Sequence, residues 1–223
     1  MSPPRRGRES LGRSVARPRQ LRQSNRIFYI VAEGERTEYE YFGHIYREYG
    51  RQFDFSVKVP TRSVIKNGLS PSQVIDEAAT VIGEPDISEV WGLFDHDRRT
   101  TIDRDCAAAS RHNVSVALSH PAFELWLLLH FQDFSPARQD GSSVEVIRKL
   151  RSAHPAFVNY SADNKGISLN RFEALVDNEG IVKAVQRAKR LAAEFVGVPP
   201  GNRDPSTGVH SLIEALGIVR KAR

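Results

Sequence analysis

Acidic side chains directly follow two apolar runs that have the composition of buried strands. Glu33 follows the run Ile27–Ala32, and Asp95 and Asp97 follow the run Glu89–Phe94. Oxygen ligands of this kind suit hard divalent cations, Mg²⁺ or Mn²⁺, which proteins hold with one or two carboxylates, waters and substrate phosphates. We therefore predict a metal site at Glu33, Asp95 and Asp97 if the sheet brings them together. Otherwise Glu33 is a solvated strand-end residue and the two aspartates form a turn.

A further carboxylate, Glu124, lies inside the apolar segment Pro121–Phe131. Its helical neighbours at +3, +4 and +7 are all apolar, so its side chain is expected to face the core. A buried carboxylate must be neutralised, paired with a basic side chain or bound to a cation. We expect Glu124 to complete the site, with a structural salt bridge as the alternative. His130, in the same segment, is interpreted as a half-buried helix residue and not as a ligand.

Strands and helices alternate through the first part of the chain. The predicted strands are Ile27–Ala32, Phe53–Val59, Glu89–Phe94 and Val114–Leu118. Helices are predicted after Thr37, which stands in capping-box spacing with Glu40, and over Pro71–Val81 and Thr101–Ser110. This order predicts an α/β fold with a mostly parallel sheet flanked by helices. In such sheets ligands bind beyond the carboxyl ends of the strands, where the acidic residues stand.

The second part of the chain is predicted to be mainly helical. The expected helices are Pro121–Phe131, Val144–Ala153, Leu169–Val196 and Val209–Val219. The segment 197–208, which contains three prolines, is interpreted as a connector.

Positive charge is concentrated at the N-terminus. The chain has 223 residues and a formal net charge of +5. Residues 1–26 carry eight Arg and one Glu, a net charge of +7, which leaves 24 basic and 26 acidic side chains in residues 27–223. The segment 1–26 is poor in apolar residues, and we expect a disordered Arg-rich arm that either contacts nucleic-acid phosphates or only aids solubility.

Other classes of protein are excluded by composition. No apolar run approaches the roughly 20 residues that cross a bilayer, so we expect a soluble protein without a membrane partner. Cys106 is the single cysteine, which excludes an internal disulfide and agrees with a cytoplasmic location.

Four motifs together resemble the RloB-like family, whose core is similar to a Toprim domain. They are Val31–Glu38 with the following Tyr41-Phe42, Phe94–Asp97, Pro121–Phe131 and Pro205–His210. The resemblance covers residues 27–223 and implies a Toprim-like, Rossmann-like core over 27–131 and a mainly helical extension over 132–223. The arm lies outside it.

The resemblance implies a Mg²⁺-dependent nuclease of prokaryotic anti-phage defence, from a restriction or abortive-infection locus that supplies partner proteins. It assigns proton transfer or metal binding to Glu33 and metal binding to Asp95 and Asp97. We expect Arg98 and Arg99 to contact substrate phosphates, together with Lys165 on a polar loop. The oligomeric state and the choice between DNA, RNA and a small nucleotide stay open.

The main alternative is a regulatory module that binds a nucleotide or nucleic acid in the same Toprim-like pocket without cutting it. Two other enzyme classes are disfavoured. A haloacid-dehalogenase-type phosphatase needs Thr at position 99, which is Arg here. An Asp-x-Asp glycosyltransferase needs a larger nucleotide-sugar domain than the residues before Asp95 provide.

Overall fold

Five strands form one twisted sheet in the order β2-β1-β3-β4-β5. The computed structural model describes residues 25–66, 68–135 and 142–219. The strands are β1 Arg26–Ala32, β2 Phe55–Lys58, β3 Glu89–Asp95, β4 Ser115–His120 and β5 Ser206–Thr207. The first four are parallel, and β5 pairs antiparallel with β4. This confirms the predicted α/β, Rossmann-like fold class.

Helices cover both faces of the sheet. Their bounds are α1 Thr37–Phe53, α2 Arg62–Ile65, α3 Pro71–Ala79, α4 Ile102–Arg111, α5 Glu124–Leu129, α6 Ser143–Ala153, α7 Leu169–Val176, α8 Gly180–Ala193 and α9 Val209–Leu216. One face packs against α3 and α4, and the other against α1 and the C-terminal helices α5 to α9. The central strands β1 and β3 are therefore buried on both sides, which explains their nearly continuous apolar sequences.

The larger apolar core lies on the α1 side and is centred on α5. All six residues of α5 are buried, and Trp126 is the largest fully buried side chain among the described residues. Tyr41 of α1 packs edge-to-face against Trp126 at a ring separation of 6.5 Å. Because α5 follows β4 directly and is enclosed by the core, its first residue, Glu124, is held firmly at the end of the sheet.

The predicted single helix Leu169–Val196 is wrong, because the chain breaks between α7 and α8. Asn178 and Glu179 adopt left-handed backbone conformations, with φ of 50° and 61°. These conformations interrupt the helical hydrogen bonds and redirect the chain. At Gly180 an added Cβ would lie 1.9 Å from the carbonyl oxygen of Leu175, so only glycine permits this close turn.

Two smaller expectations are also corrected. The connector 197–208 contains β5, a two-residue strand whose identity depends on pairing with β4 and not on its own sequence. The expected capping box at Thr37 and Glu40 does not form. Instead the Thr37 hydroxyl donates to the Lys165 carbonyl at 3.1 Å, and a Glu40 carboxylate oxygen accepts from the Ile167 amide at 2.6 Å. Both contacts tie the start of α1 to the loop before α7.

Strand β1 begins one residue before the predicted domain boundary at Ile27. Arg26 is the first residue of β1, and its guanidinium donates to the carbonyl oxygens of Ala215 and Leu216 at 2.7 and 2.8 Å. The predicted disordered arm otherwise falls on residues 1–24, which lie outside the described residues. Within the described ranges, none of the helices has the length and hydrophobicity that a membrane crossing requires.

Candidate active site

A cleft of about 610 Å³ lies at the edge of the sheet where β1 and β3 end. It is called the acidic cleft below, because seven acidic and two basic side chains of the described residues line it: Glu33, Glu35, Glu38, Asp95, Asp97, Glu124 and Asp163, with Arg36 and Lys165. The parallel register pairs Ala32 with Leu93, so the residues that follow β1 and those that end β3 meet at this edge. The structure thus brings together the carboxylates that the sequence places after separate strands.

Asp95 lies at the base of the acidic cleft. None of the described residues donates a hydrogen bond to its carboxylate, although its backbone amide donates to Glu33 Oε2 at 3.1 Å. Burial raises the pKa of Asp95 well above its usual value, and the nearby carboxylates of Glu38, Glu124 and Glu33 raise it further. Asp95 is thus an acid surrounded by other carboxylates. The residue is nevertheless partly exposed to solvent.

Glu33 is held by an arginine from the loop after β3. Arg99 donates to both of its carboxylate oxygens, at 2.5 Å to Oε1 and 2.9 Å to Oε2. This two-point geometry fixes the orientation of the carboxylate. The predicted phosphate ligand Arg99 is thus placed at the site, but in contact with Glu33.

Asp97 and Arg98 lie at the outer side of the site. Asp97 lines the acidic cleft with a side chain that is 73% exposed, and one of its oxygens is 3.9 Å from Arg99 Nη2. Asp97 and Arg98 both have left-handed backbone conformations, with φ of 43° and 57°. Arg98 is exposed and is not part of the cleft lining. The two aspartates of the Asp-x-Asp motif therefore differ in environment, with Asp95 inside the cleft and Asp97 at its rim.

Glu124 is buried, with 3% of its surface exposed, and it has two partners. The Tyr160 hydroxyl donates to its Oε1 at 3.0 Å, and Lys165 Nζ lies 3.6 Å from the same oxygen. Coulombic attraction, mainly to Glu124 and also to Asp95 and Glu38, raises the pKa of Lys165. Lys165 is thus placed in the acidic cleft as the cation facing three carboxylates.

Glu38 is a site residue that sequence reasoning missed. It lies in the first turn of α1 and is 8% exposed. Burial, with smaller contributions from Glu124 and Glu33, raises its pKa to about 7. A Cβ at position 34 would lie 2.8 Å from its Oε1, so Gly34 leaves the space that this carboxylate occupies. The available signal was an acid in the first turn of the helix that follows Glu33.

The donor set agrees with a hard divalent cation. Every acidic side chain of the cleft offers carboxylate oxygens as ligands, and none of the described residues donates a hydrogen bond to the Asp95 carboxylate. Within the described part of the chain, however, no three Asp, Glu, His or Cys side chains are grouped closely enough to hold a metal. The residues therefore suit a cation held by one or two carboxylates and completed by water or phosphate oxygen.

Comparisons with known proteins give one result. No curated protein and no solved structure matches the chain. The family model described as RloB-like protein matches residues 28–216, which include all the strands and helices given above except Arg26 and Ile27 of β1. The chain therefore belongs to the RloB-like protein family.

Proposed function

We propose that the acidic cleft is the active site of a Mg²⁺-dependent phosphodiesterase that cleaves nucleic acid. The observation that carries this proposal is Asp95, a carboxylate at the end of a central strand, surrounded by other acids and without a donor among the described residues. A bound divalent cation would offset this negative charge. It would also supply electrostatic stabilisation to the phosphate and to the leaving oxygen.

The side chains of the cleft divide the remaining tasks. Asp95 would hold the cation, with Glu38 and Glu124, the carboxylates whose charges raise its pKa most, as further oxygen ligands. Glu33, kept in one orientation by Arg99, would position or deprotonate the attacking water. Lys165 offers a positive charge to a substrate phosphate, because its side chain is 46% exposed although Glu124 is close. Asp97, at the rim, would contribute to metal binding through a water molecule or after its side chain turns into the cleft.

The test is cleavage of labelled DNA and RNA, single- and double-stranded, in Mg²⁺, Mn²⁺ or EDTA. We expect wild-type protein to cut at least one substrate in a metal-dependent way. Asp95→Asn should reduce the rate by about 100-fold or more, since the loss of a metal ligand exceeds the effect of an outer-shell change. Asp76→Asn, an exposed change on α3 at the other face of the sheet, is the matched control and should retain full activity. Wild-type rates in the Asp95→Asn protein would refute the assignment.

One observation favours a second function, a binding module that holds a nucleotide or nucleic acid without cutting it. Glu33 is engaged by Arg99, and no three acids among the described residues are grouped as a metal site. Calorimetry separates the two proposals. Binding of Mg²⁺ with an oligonucleotide or nucleotide, without product after prolonged incubation, would identify the module.

The biological setting is proposed from the family alone. The RloB-like resemblance implies a place in prokaryotic anti-phage defence, in restriction or abortive-infection loci. Protection of cells from phage by the wild-type gene, and its loss in Asp95→Asn, would support that role. Equal plaque counts with and without the wild-type gene in its complete locus would count against it.

A further inference from the structure

Two hollows lie beside the acidic cleft, on either side of the N-terminal part of α1. One, of about 590 Å³, separates α1 from the segment 155–171, and the other, of about 820 Å³, separates α1 from the segment 59–66. Arg36, Glu40 and Arg47 line both hollows and stand between them, and we call the two hollows together the α1 groove. Arg36 also lines the acidic cleft, and the groove therefore starts beside the carboxylates.

The sign of the charge reverses between the cleft and the α1 groove. The groove lining has five basic and two acidic side chains: Arg36, Arg47, Arg62, Lys66 and Arg171, with Glu35 and Glu40. The acidic cleft has the opposite excess. A polyanionic substrate requires this arrangement: a cation-dependent site for one phosphate ester, and beside it a positively charged groove for the neighbouring phosphates.

Three of these basic side chains have no ionic partner within the described residues. Arg47 donates to the Gly43 carbonyl and contacts His44 Nδ1, both at 3.2 Å, and neither partner is a carboxylate that would offset the charge of the guanidinium. Arg62 and Lys66 are exposed and form no ion pair with a described carboxylate. Their positive charge is available to a ligand.

The other two arginines have structural partners. Arg36 pairs with Glu40 at 2.7 Å, and Arg171 is buried and donates to the carbonyl oxygens of Asn164 and Gly166. Arg171 therefore shapes the wall of the groove. Arg47, Arg62 and Lys66 are the residues expected to contact a ligand.

We propose that the α1 groove binds the sugar-phosphate backbone of the substrate strand to one side of the phosphate in the acidic cleft. The inference rests on the proposed function and specifies its substrate as a polynucleotide and not a mononucleotide. Arg36 and Arg47 are eleven residues apart, or about 16 Å along the helix. That distance corresponds to roughly five nucleotides of one strand at about 3.4 Å of axial rise each. A single nucleotide in the cleft would not reach Arg47.

The first measurement is oligonucleotide affinity as a function of salt, in EDTA so that no cleavage occurs. We compare wild-type protein with Arg47→Gln and with Arg111→Gln, which removes from α4, on the opposite face of the sheet, an exposed charge that forms no ion pair with a described carboxylate. For a labelled single strand, Arg47→Gln should reduce the steepness of the fall of log K with log salt by about 0.7. The triple variant Arg47→Gln/Arg62→Gln/Lys66→Gln should reduce it by about 2. Arg111→Gln should behave as wild type. Equal slopes for Arg47→Gln and Arg111→Gln would overturn the proposal.

The second measurement separates this inference from the proposed function. Bis(p-nitrophenyl) phosphate is a phosphodiester too small to extend from the cleft to Arg47. Arg47→Gln should raise KM several-fold for an oligonucleotide and leave hydrolysis of the small ester unchanged. An equal loss on both substrates would overturn the groove. If wild-type protein cleaves neither substrate, the proposed hydrolysis fails, whereas the salt slopes still decide whether the α1 groove binds a strand.

Discussion

Asp95 and Lys165 show how the electrostatics of the acidic cleft are balanced at the level of single residues. Lys165 is the cation that lowers the pKa of both Asp95 and Glu38, but burial and the neighbouring carboxylates outweigh it, and the pKa of Asp95 stays well above its usual value. One lysine therefore does not offset the mutual repulsion of the carboxylates in the cleft. A divalent cation is the ligand that would complete this balance.

His130 yields a pH-dependent prediction that is independent of the active site. It is buried and not half-buried as the sequence predicted. Its Nδ1 lies 2.7 Å from the Leu175 carbonyl oxygen, and its Nε2 lies 3.3 Å from the Tyr41 hydroxyl. Burial lowers its pKa from 6.5 to about 4. The unfolded chain thus binds the proton more readily, so His130 stabilises the fold above pH 6.5, and this contribution is lost as the pH falls towards 4. The full loss is about 3 kcal/mol.

The prediction is tested by urea unfolding of wild type and His130→Gln between pH 7 and 4.5. Other groups titrate equally in both proteins, so the difference between their unfolding free energies isolates His130. Wild type should be clearly the more stable at pH 7, and that advantage should shrink by about 2 kcal/mol or more at pH 4.5. The exposed change His112→Gln is the control, for which parallel curves are expected. Parallel curves for His130→Gln would contradict the prediction.

The residues of the site were only partly predictable from sequence. Glu33, Asp95 and Glu124 could be found because each follows or begins an element with a clear apolar pattern, and the structure places all three in one cleft. Glu38 was missed because acids are common in the first turn of a helix, where they interact favourably with the helix dipole. Only the orientation of α1 about its axis shows that this side chain faces inward. The contact between Glu33 and Arg99 also depends on a loop conformation that sequence patterns do not contain.

Two helical glycines provide a prediction at the level of elements. Gly180, at the start of α8, has no room for a side chain, because an added Cβ would meet the backbone of Leu175. Gly43, in α1, has no atom within 4 Å of the same position. We expect Gly180→Ala to destabilise the protein by about 1–3 kcal/mol or more through overpacking. Gly43→Ala should instead stabilise it by about 0.5–1 kcal/mol, because alanine loses less entropy in a helix.

The measurement is thermal or urea unfolding of the two variants beside wild type. Gly43→Ala is the matched control, since both changes add one methyl group to a helix. A Gly180→Ala protein as stable as wild type would show that the turn between α7 and α8 relaxes without cost.

The elements were predictable where local sequence decides them. Strands β1, β3 and β4 follow mainly apolar runs, β2 follows an alternating pattern, and α3 begins at Pro71 with a capping box between Ser70 and Gln73. The break at Asn178 and the strand β5 were not predictable, because one depends on left-handed residues inside a helical pattern and the other on pairing with β4. Tertiary contacts overrode local preference at both places.

At the level of the whole molecule, positive charge occurs in two places with different relations to the cleft. The α1 groove adjoins it, whereas the Arg-rich N-terminal segment joins β1 at the end opposite the cleft. The seven residues of β1 separate the two ends by roughly 23 Å. Contacts made by the N-terminal segment would therefore add to affinity without depending on the geometry of the carboxylates.

Deletion of residues 1–24 tests this separation. The segment carries seven Arg and one Glu. Its removal should weaken oligonucleotide binding and lower the salt slope for a single strand by up to about 5, if every arginine contacts a phosphate. Mg²⁺ binding, followed by calorimetry, should be unchanged. An unchanged salt slope would mean that the segment does not contact nucleic acid. The deletion stops before Asn25 so that Arg26 is kept.

The contact of Arg26 with the end of α9 has a consequence for how the fold opens. Its guanidinium holds two carbonyl groups in the last turn of that helix, while its backbone belongs to the first strand. The earliest and latest elements of the described chain are thereby joined, and local fraying of either one must break the same hydrogen bonds. We therefore expect the two ends to open cooperatively. The amide protons of β1 and α9 should then show similar protection from hydrogen exchange, although 183 positions separate Arg26 from Val209.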